Sequence, residues 1–247
     1  MLSPALAGCV TNNRLSFLRT YAKLSVTMIS KDTITFLKSL GKNNNREWLQ
    51  AHKPDFEKAK EDFEGLVGDL IGRIAKFDPE VGGLLPESCI FRIYRDVRFS
   101  KDKSPYKPNF GAYISPGGRK SSAPGYYFHL EPGHSFLAAG KHNPDPAELL
   151  KIRKAIAGDT DGFVKIVNSK SFQKCFGELR GETLKTTPKG FPADHKAIEF
   201  LKLKSFMAAI EISDDKFLVS KEFPTFVASA CKDAKPLVDF MRKALGS

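Results

Sequence analysis

Apolar residues recur at helical spacing in the first third of the chain. Ser30 is of the type favoured at a helix N-cap, and the apolar residues after it predict a short amphipathic helix ending at Gly41. A turn of three asparagines precedes a second short helix that is predicted to begin near Trp48. Pro54 separates this helix from a longer one predicted over residues 55–77, whose apolar positions lie on one face. These stripes indicate helices that pack against a core.

The apolar period changes to two in the middle of the chain. Residues 89–99 are predicted to form a central strand, with one face made of Phe91, Ile93, Val97 and Phe99. Three further extended segments follow at 110–115, 125–131 and 135–139, separated by proline–glycine turns. Four adjacent strands with short connections predict an antiparallel meander. Its apolar face is predicted to comprise Phe110, Tyr126, Phe128, Leu130 and Phe136.

The remaining third is mainly helical in pattern. Asp145 and Pro146 are typical of an N-cap and a first helical position, and they predict a helix there. The other predicted elements are short helices at 163–167, 172–176 and 195–202 (the last capped by Asp194), a strand at 206–212, and a helix over 224–245 that Pro236 breaks or restarts. This order predicts an α+β fold: a single domain with a mostly antiparallel sheet flanked by helices.

Residues 1–27 differ in composition from the rest of the chain. They contain three basic residues and no acidic one. Two interpretations are open: an organelle transit peptide, or an upstream extension of the reading frame with Met28 as the working start. We favour the extension, because the regular pattern begins directly after Met28. The predicted organisation is therefore an extension over 1–27 and one domain over 28–247.

Composition indicates a folded, basic protein. The 247 residues are 41% hydrophobic, and the formal net charge is +11. Such a charge favours polyanionic partners, nucleic acid first among them. No apolar stretch approaches the roughly 20 residues that a membrane span needs, so no membrane partner is expected.

The cysteines give no sign of a metal site or a disulfide framework. The four lie far apart, without a CxxC pair or a histidine at ligand spacing. Cys89 and Cys231 lie in apolar segments and are predicted to be buried, reduced thiols. We therefore expect neither a metal nor a cofactor, and a reducing, cytoplasmic location unless residues 1–27 direct import.

The densest cluster of charge lies at residues 92–107. It contains two acids, Asp96 and Asp102, and two tyrosines among its cations, which are Arg92, Arg95, Arg98, Lys101, Lys103 and Lys107. Guanidinium groups bind phosphate or carboxylate through two parallel hydrogen bonds, and an aromatic ring such as Tyr106 can stack on a base or sugar. The structural alternative is an internal network in which Asp96 pairs with an arginine and Asp102 with a lysine. We favour the ligand interpretation, because the cations outnumber the carboxylates.

Two other groups of residues are candidates for binding or catalysis. Arg46 follows the asparagine turn at the start of a predicted helix and could receive an anion there, although capping alone explains the asparagines. His129 should share a strand face with Tyr127 and Glu131, which would give a base and its orienting carboxylate. A surface or packing role is the more common one for such a histidine. The sequence contains no nucleophile elbow, P-loop, dinucleotide fingerprint or HExxH motif.

Several segments together resemble a known family. They are NNNREWLQAHKPDFE, RIYRDVRFSKDKSPYK, GYYFHLEP, PDPAELLKIRKAI, PKGFPADHKAIEFLKLKSF and KPLVDFMRKAL. In this order, from about Thr33 to Leu245, the chain is similar to the family called domain of unknown function 2461. The resemblance implies one domain and brings no reaction with it. The segment SFLAAGKHNPDP departs from the glycine-richer, more apolar pattern of that family, and residues 1–27 lie outside the match.

Three functional hypotheses follow. In the first, the 92–107 segment binds a phosphate-bearing ligand, either a small molecule or a nucleic acid: Arg92, Arg95 and Arg98 orient phosphate, Lys103 and Lys107 add charge, and Tyr106 stacks. In the second, the protein is an enzyme on a phosphorylated or carboxylated substrate, with Asp96 or His129 as the acid or base. In the third, it is a structural or interaction protein whose arginines are paired internally.

Overall fold

A computed structural model describes residues 28–96, 98 and 101–247. It confirms a single α+β domain. The α-helices are α1 (Lys31–Lys42), α2 (Arg46–Ala51), α3 (Lys53–Ile74), α4 (Pro86–Cys89), α5 (Pro146–Gly158), α6 (Thr160–Val167), α7 (Lys170–Phe176), α8 (Ile198–Leu201), α9 (Asp215–Leu218) and α10 (Phe223–Leu245). The strands are β1 (Phe110–Ile114), β2 (Gly125–Leu130), β3 (Ser135–Lys141) and β4 (Phe206–Ile212). The predicted extension, residues 1–27, lies outside the described residues.

Helix starts follow the capping residues that the sequence offers. The Ser30 side chain accepts a hydrogen bond from the Thr33 backbone N–H at the start of α1. Asn45 caps α2, and Asp145 forms a reciprocal capping box with Glu148 at the start of α5. In each case a side-chain oxygen satisfies an N–H group that has no partner within the helix. These three predicted helix starts are confirmed.

The sheet is antiparallel, in the order β1–β2–β3–β4. The strands β1, β2 and β3 are three of the four that were predicted to form the meander, and β4 joins them from the distant predicted strand at 206–212. The inner face carries buried Tyr126, Phe128 and Leu130 of β2. The prediction that Phe136 shares this face is wrong. Phe136 lies opposite His129 in the register and is therefore on the outer face.

The predicted central strand at 89–99 is wrong for its described residues. Two isolated bridges, Ile90 with Ala112 and Tyr94 with Tyr106, replace it. Four positions separate the first residues of these pairs and six separate the second, so the register changes between the bridges. Pro108 lies in that stretch and has no N–H to donate, which prevents a regular ladder. Val97 and Phe99 lie outside the described residues.

Three helix predictions also need correction. The helix α3 begins at Lys53 and takes Pro54 into its first turn, where a missing N–H costs nothing. The helix α8 is only four residues long, and the His195 ring accepts a hydrogen bond from the Ala197 N–H, so Asp194 is not its cap. The helix α10 runs unbroken past Pro236.

The core lies between the inner sheet face and the two longest helices, α3 and α10. The ring of Phe63 from α3 stacks on Phe110 and Phe128, with centroids 5.2 and 6.1 Å apart, and Phe223 of α10 lies 5.5 Å from Phe128. All four phenylalanines are almost completely buried. Each such side chain contributes about 1.5–3 kcal/mol by leaving water, so this aromatic layer holds the helices to the sheet.

A buried polar network fixes the loop between β1 and β2. Three backbone carbonyls of this loop accept hydrogen bonds from side chains of other elements. The Ser122 carbonyl accepts from Lys141 of β3, that of Ala123 from Tyr113 of β1, and that of Pro124 from Arg242 of α10.

The Arg242 guanidinium also pairs with Asp78, at 2.9 Å, and with Glu80, at 3.1 Å. Asp78 accepts a further hydrogen bond from Tyr126. The side chains of Arg242 and Asp78 are 3% and 1% exposed, so this ion pair is buried. It ties the last helix to the turn that follows α3.

Within the described part of the chain, no helix has both the length and the apolar character of a membrane span.

Candidate functional site

A basic groove lies between the start of α2 and the loop at residues 94–106. Its volume is about 900 Å³, within the range of small-molecule sites. The residues that line it are Asn44, Asn45, Arg46, Glu47, Gln50, Tyr94, Arg95, Lys103, Pro105 and Tyr106. The groove thus joins two segments that are about 50 residues apart and that the sequence indicated separately.

Asn44 fixes one wall of the groove to the other. Its side-chain amide donates to the Tyr106 carbonyl at 2.9 Å, and its oxygen accepts from the Tyr106 N–H at 3.0 Å. The loop closes on itself through backbone hydrogen bonds from Arg95 to Pro105 and from Lys107 to Ile93. Its two sides are therefore held in place although they form no strand.

Three cations face the groove, against one carboxylate, that of Glu47. The Arg95 side chain is 24% exposed, pairs with Asp102 at 3.1 Å, and donates to the Tyr106 carbonyl. Its Nε is buried and has no hydrogen-bond partner. Arg46 is exposed and enters no ion pair with any residue that the structure describes. With Lys103, these groups give the groove a positive potential.

The remaining predicted cations lie outside the groove. Arg98 forms a two-point pair with Asp96, with distances of 3.0 and 2.7 Å, on an exposed part of the loop. This hydrogen bonding holds the pKa of Asp96 well below its usual value. Arg92 is exposed, and Lys107 is half-buried, with a pKa lowered by burial and by the nearby charges of Arg92 and Arg95.

The two loop tyrosines have different environments. Tyr106, which we predicted to stack on a ligand, is only 5% exposed. Its burial follows from the clamp by Asn44, a contact across 62 residues that the local sequence does not indicate. Tyr94 is 55% exposed and meets the Tyr106 ring edge-on, with centroids 5.4 Å apart. Tyr94 is therefore the aromatic surface that a ligand in the groove can reach.

Trp48 lies beside the groove but does not line it. Its ring stacks on His52, with centroids 4.1 Å apart, and packs against Phe36. These three side chains line a separate cavity of about 270 Å³ between the first three helices.

His129 lies in a second polar cluster, on the outer face of the sheet. Its Nδ1 is 3.0 Å from the Tyr127 hydroxyl oxygen, and its Nε2 is 2.9 Å from a Glu131 carboxylate oxygen. The predicted shared face is therefore correct. Neither His129 nor Asp96 lines the basic groove, so the structure does not join them to the groove arginines in one cavity.

The described residues contain no group of three or more histidine, cysteine, aspartate or glutamate side chains that could hold a metal ion. Cys89 and Cys231 are buried free thiols, as predicted, and burial raises the pKa of each.

Comparison with known proteins identifies a family but no activity. The family model described as conserved hypothetical protein DUF2461 matches residues 32–240. The chain belongs to this family. The DUF2461 match spans α1 to most of α10 and so includes both walls of the groove and the His129 cluster. No curated protein and no solved structure matches the chain.

Proposed function

We propose that this DUF2461 protein binds a phosphate-bearing ligand in the basic groove. The observation that carries the proposal is the convergence of Arg46, Arg95 and Lys103 on one concave surface. Arginine offers planar pairs of N–H donors that match a phosphate, and lysine adds a mobile charge. Of the cations predicted from the sequence, these three bind the ligand, while Arg92, Arg98 and Lys107 act outside the groove.

The groove also suits a ligand with a planar ring. Tyr94 presents more than half of its surface next to the cations. Base–aromatic stacking contributes about 1–3 kcal/mol per base, which favours a nucleotide or a single-stranded nucleic acid over a bare phosphate. In this respect Tyr94 takes the role that we predicted for Tyr106.

The alternative of an internally paired network accounts for only part of the cluster. Asp96 pairs with Arg98, and Asp102 pairs with Arg95 rather than with a lysine. These pairs hold the loop in shape, but neither carboxylate lines the groove. The binding proposal therefore rests on exposed Arg46, which enters no ion pair with any described residue, and on its position beside Arg95 and Lys103 on one concave surface.

The test is calorimetric titration with inorganic phosphate, adenosine monophosphate and a short single-stranded oligonucleotide. Arg46→Ala should weaken binding about 10- to 150-fold, which corresponds to the loss of one charge-assisted hydrogen bond. Lys151→Ala is the matched control, because it removes one exposed positive charge from α5, away from the groove. Tyr94→Ala should weaken the nucleotide and leave phosphate unchanged.

Two results would count against the proposal. Absence of binding by all three compounds would refute it, and so would an equal loss of affinity in the Arg46 and Lys151 variants. A logarithmic salt dependence with a slope near zero would exclude nucleic acid, because each neutralised phosphate releases counterions.

A further inference from the structure

The outer sheet face carries a hydrogen-bonded chain of three side chains on β2 and its end. Tyr127, His129 and Glu131 alternate along the strand and therefore point the same way. A carboxylate can only accept hydrogen bonds, so Glu131 accepts one from the Nε2–H group of His129. In the neutral ring Nδ1 then has a free electron pair, and it accepts the hydrogen bond that the Tyr127 hydroxyl donates.

The neighbouring residues hold this chain in one geometry. The His129 ring stacks on Phe136 of β3, with centroids 4.7 Å apart and planes 16° from parallel. The Tyr127 hydroxyl lies over Gly111 of β1, and a Cβ at position 111 would be 2.6 Å from its oxygen. The absence of a side chain at Gly111 thus makes room for the hydroxyl. The side chains of His129 and Glu131 are 14% and 29% exposed, so protons can reach solvent through the carboxylate end.

We propose that Tyr127, His129 and Glu131 form a nucleophile, its base and the group that orients the base. A nucleophile within hydrogen-bond reach of a base, which a third group orients, is the arrangement that enzymes use to activate a hydroxyl. At neutral pH the Tyr127 phenol is protonated, since burial and the Glu131 charge raise its pKa to about 12. Attack by its oxygen therefore depends on His129.

The chemistry is transfer of an acyl-type group to Tyr127. The phenol oxygen attacks the electrophilic centre and forms a new bond to it, while its proton moves to His129 Nδ1. Glu131 stabilises the imidazolium, and the leaving group departs with the bonding electrons and takes that proton. The rings of Phe91 and Phe136 lie 6.1 and 5.6 Å from that of Tyr127, so the preferred substrate carries its acyl group on an apolar or aromatic body.

The experiment uses benzenesulfonyl fluoride as the electrophile and mass spectrometry of the tyrosine peptides. Sulfur then takes the place of the acyl carbon, and fluoride is the leaving group. Tyr113 is an internal control, because it is the cross-strand partner of Tyr127 and burial raises its pKa to about 12 as well. Its hydroxyl, however, donates to the Ala123 carbonyl, which cannot take the proton. Exposed Tyr94 reports the intrinsic reactivity of the reagent.

We expect Tyr127 to be labelled faster than Tyr113, and His129→Gln to slow its labelling about 100-fold without changing that of Tyr94. Glu131→Gln should also slow the labelling of Tyr127. Because Glu131 is more exposed than His129, this variant provides the test if His129→Gln fails to fold. Equal labelling of Tyr127 and Tyr113, or a Tyr127 rate that neither substitution changes, would overturn the proposal. The groove cations play no part in the labelling of Tyr127, and Tyr94 serves only as a reference for the reagent, so the outcome is independent of phosphate binding.

Discussion

The buried ion pair between Arg242 and Asp78 allows a quantitative test, because the same guanidinium also binds an exposed carboxylate. Asp78 is 1% exposed and receives hydrogen bonds from Arg242 and Tyr126, whereas the Glu80 side chain is 57% exposed. Asp78→Asn and Glu80→Gln each remove one negative charge at nearly constant volume. The two substitutions therefore differ mainly in the burial of the carboxylate that is lost.

The expected losses of unfolding free energy are unequal. Removing one partner of a buried pair leaves an uncompensated charge and costs about 3–5 kcal/mol. An exposed pair contributes about 0–1 kcal/mol, because water screens it. Asp78→Asn should therefore destabilise the protein several times more than Glu80→Gln does. Adding Arg242→Met to Asp78→Asn should recover part of the loss, since the unpaired buried charge is then gone.

Urea unfolding followed by circular dichroism measures these differences, with linear extrapolation to water. The slope against urea should remain constant if only stability changes. Equal losses in the two single variants would refute the electrostatic reasoning. So would a double variant that is less stable than Asp78→Asn alone, because it would show that the Arg242 hydrogen bond to Pro124 outweighs the charge.

Three further predictions concern individual side chains. Asn44→Ala should destabilise the protein by about 1–3 kcal/mol and weaken ligand binding in the groove, because it leaves the Tyr106 N–H without a partner and leaves the Tyr106 carbonyl with only its hydrogen bond from Arg95. Asn43→Ala, at an exposed helix end, is the control, and equal losses in urea unfolding would contradict this reasoning. Tyr113 and Tyr127 have pKa values raised to about 12, so the stability that they contribute is complete below about pH 10 and is lost as pH rises through 12. Tyr113→Phe and Tyr127→Phe should reduce this alkaline loss of unfolding free energy. A profile of unfolding free energy against pH that neither variant changes would contradict the assignment. Burial raises the pKa of Cys175 to about 11, so iodoacetamide at pH 8 should alkylate it more slowly than in the urea-unfolded chain, whereas equal rates would show an accessible thiolate.

Local patterns predicted most of the helices, and four of the five predicted strand segments are strands of the sheet. Ser30, Asn45 and Asp145 cap their helices through contacts within three residues, so the sequence around each is sufficient. The predicted strand at 89–99 failed because its pairing depends on a partner segment that contains Pro108. Phe136 was assigned to the wrong face because the register of β3 is set by its neighbours and not by its own composition.

Some features of the candidate sites also follow from local sequence, whereas others depend on contacts between distant segments. The cations of the loop and the shared face of Tyr127, His129 and Glu131 follow from spacing along the chain. The groove itself depends on Asn44, whose partner is 62 residues away, and on the burial of Tyr106 that results. A turn of three asparagines gives no local sign that one of them joins two distant segments, so Tyr94 could not be preferred over Tyr106 from sequence.

The attachment of the last helix also bears on the order in which the domain assembles. Arg242 binds partners 118 and 164 residues earlier in the chain, in the loop before β2 and in the turn after α3. Until α10 docks, Asp78 and the Pro124 carbonyl lack their cation, and the inner sheet face lacks Phe223. A state with a formed sheet and a detached α10 is therefore high in free energy. The sheet and α10 are expected to unfold together. Hydrogen exchange should accordingly give the amides of α10 and of the central strands the same opening free energy, as one cooperative unit.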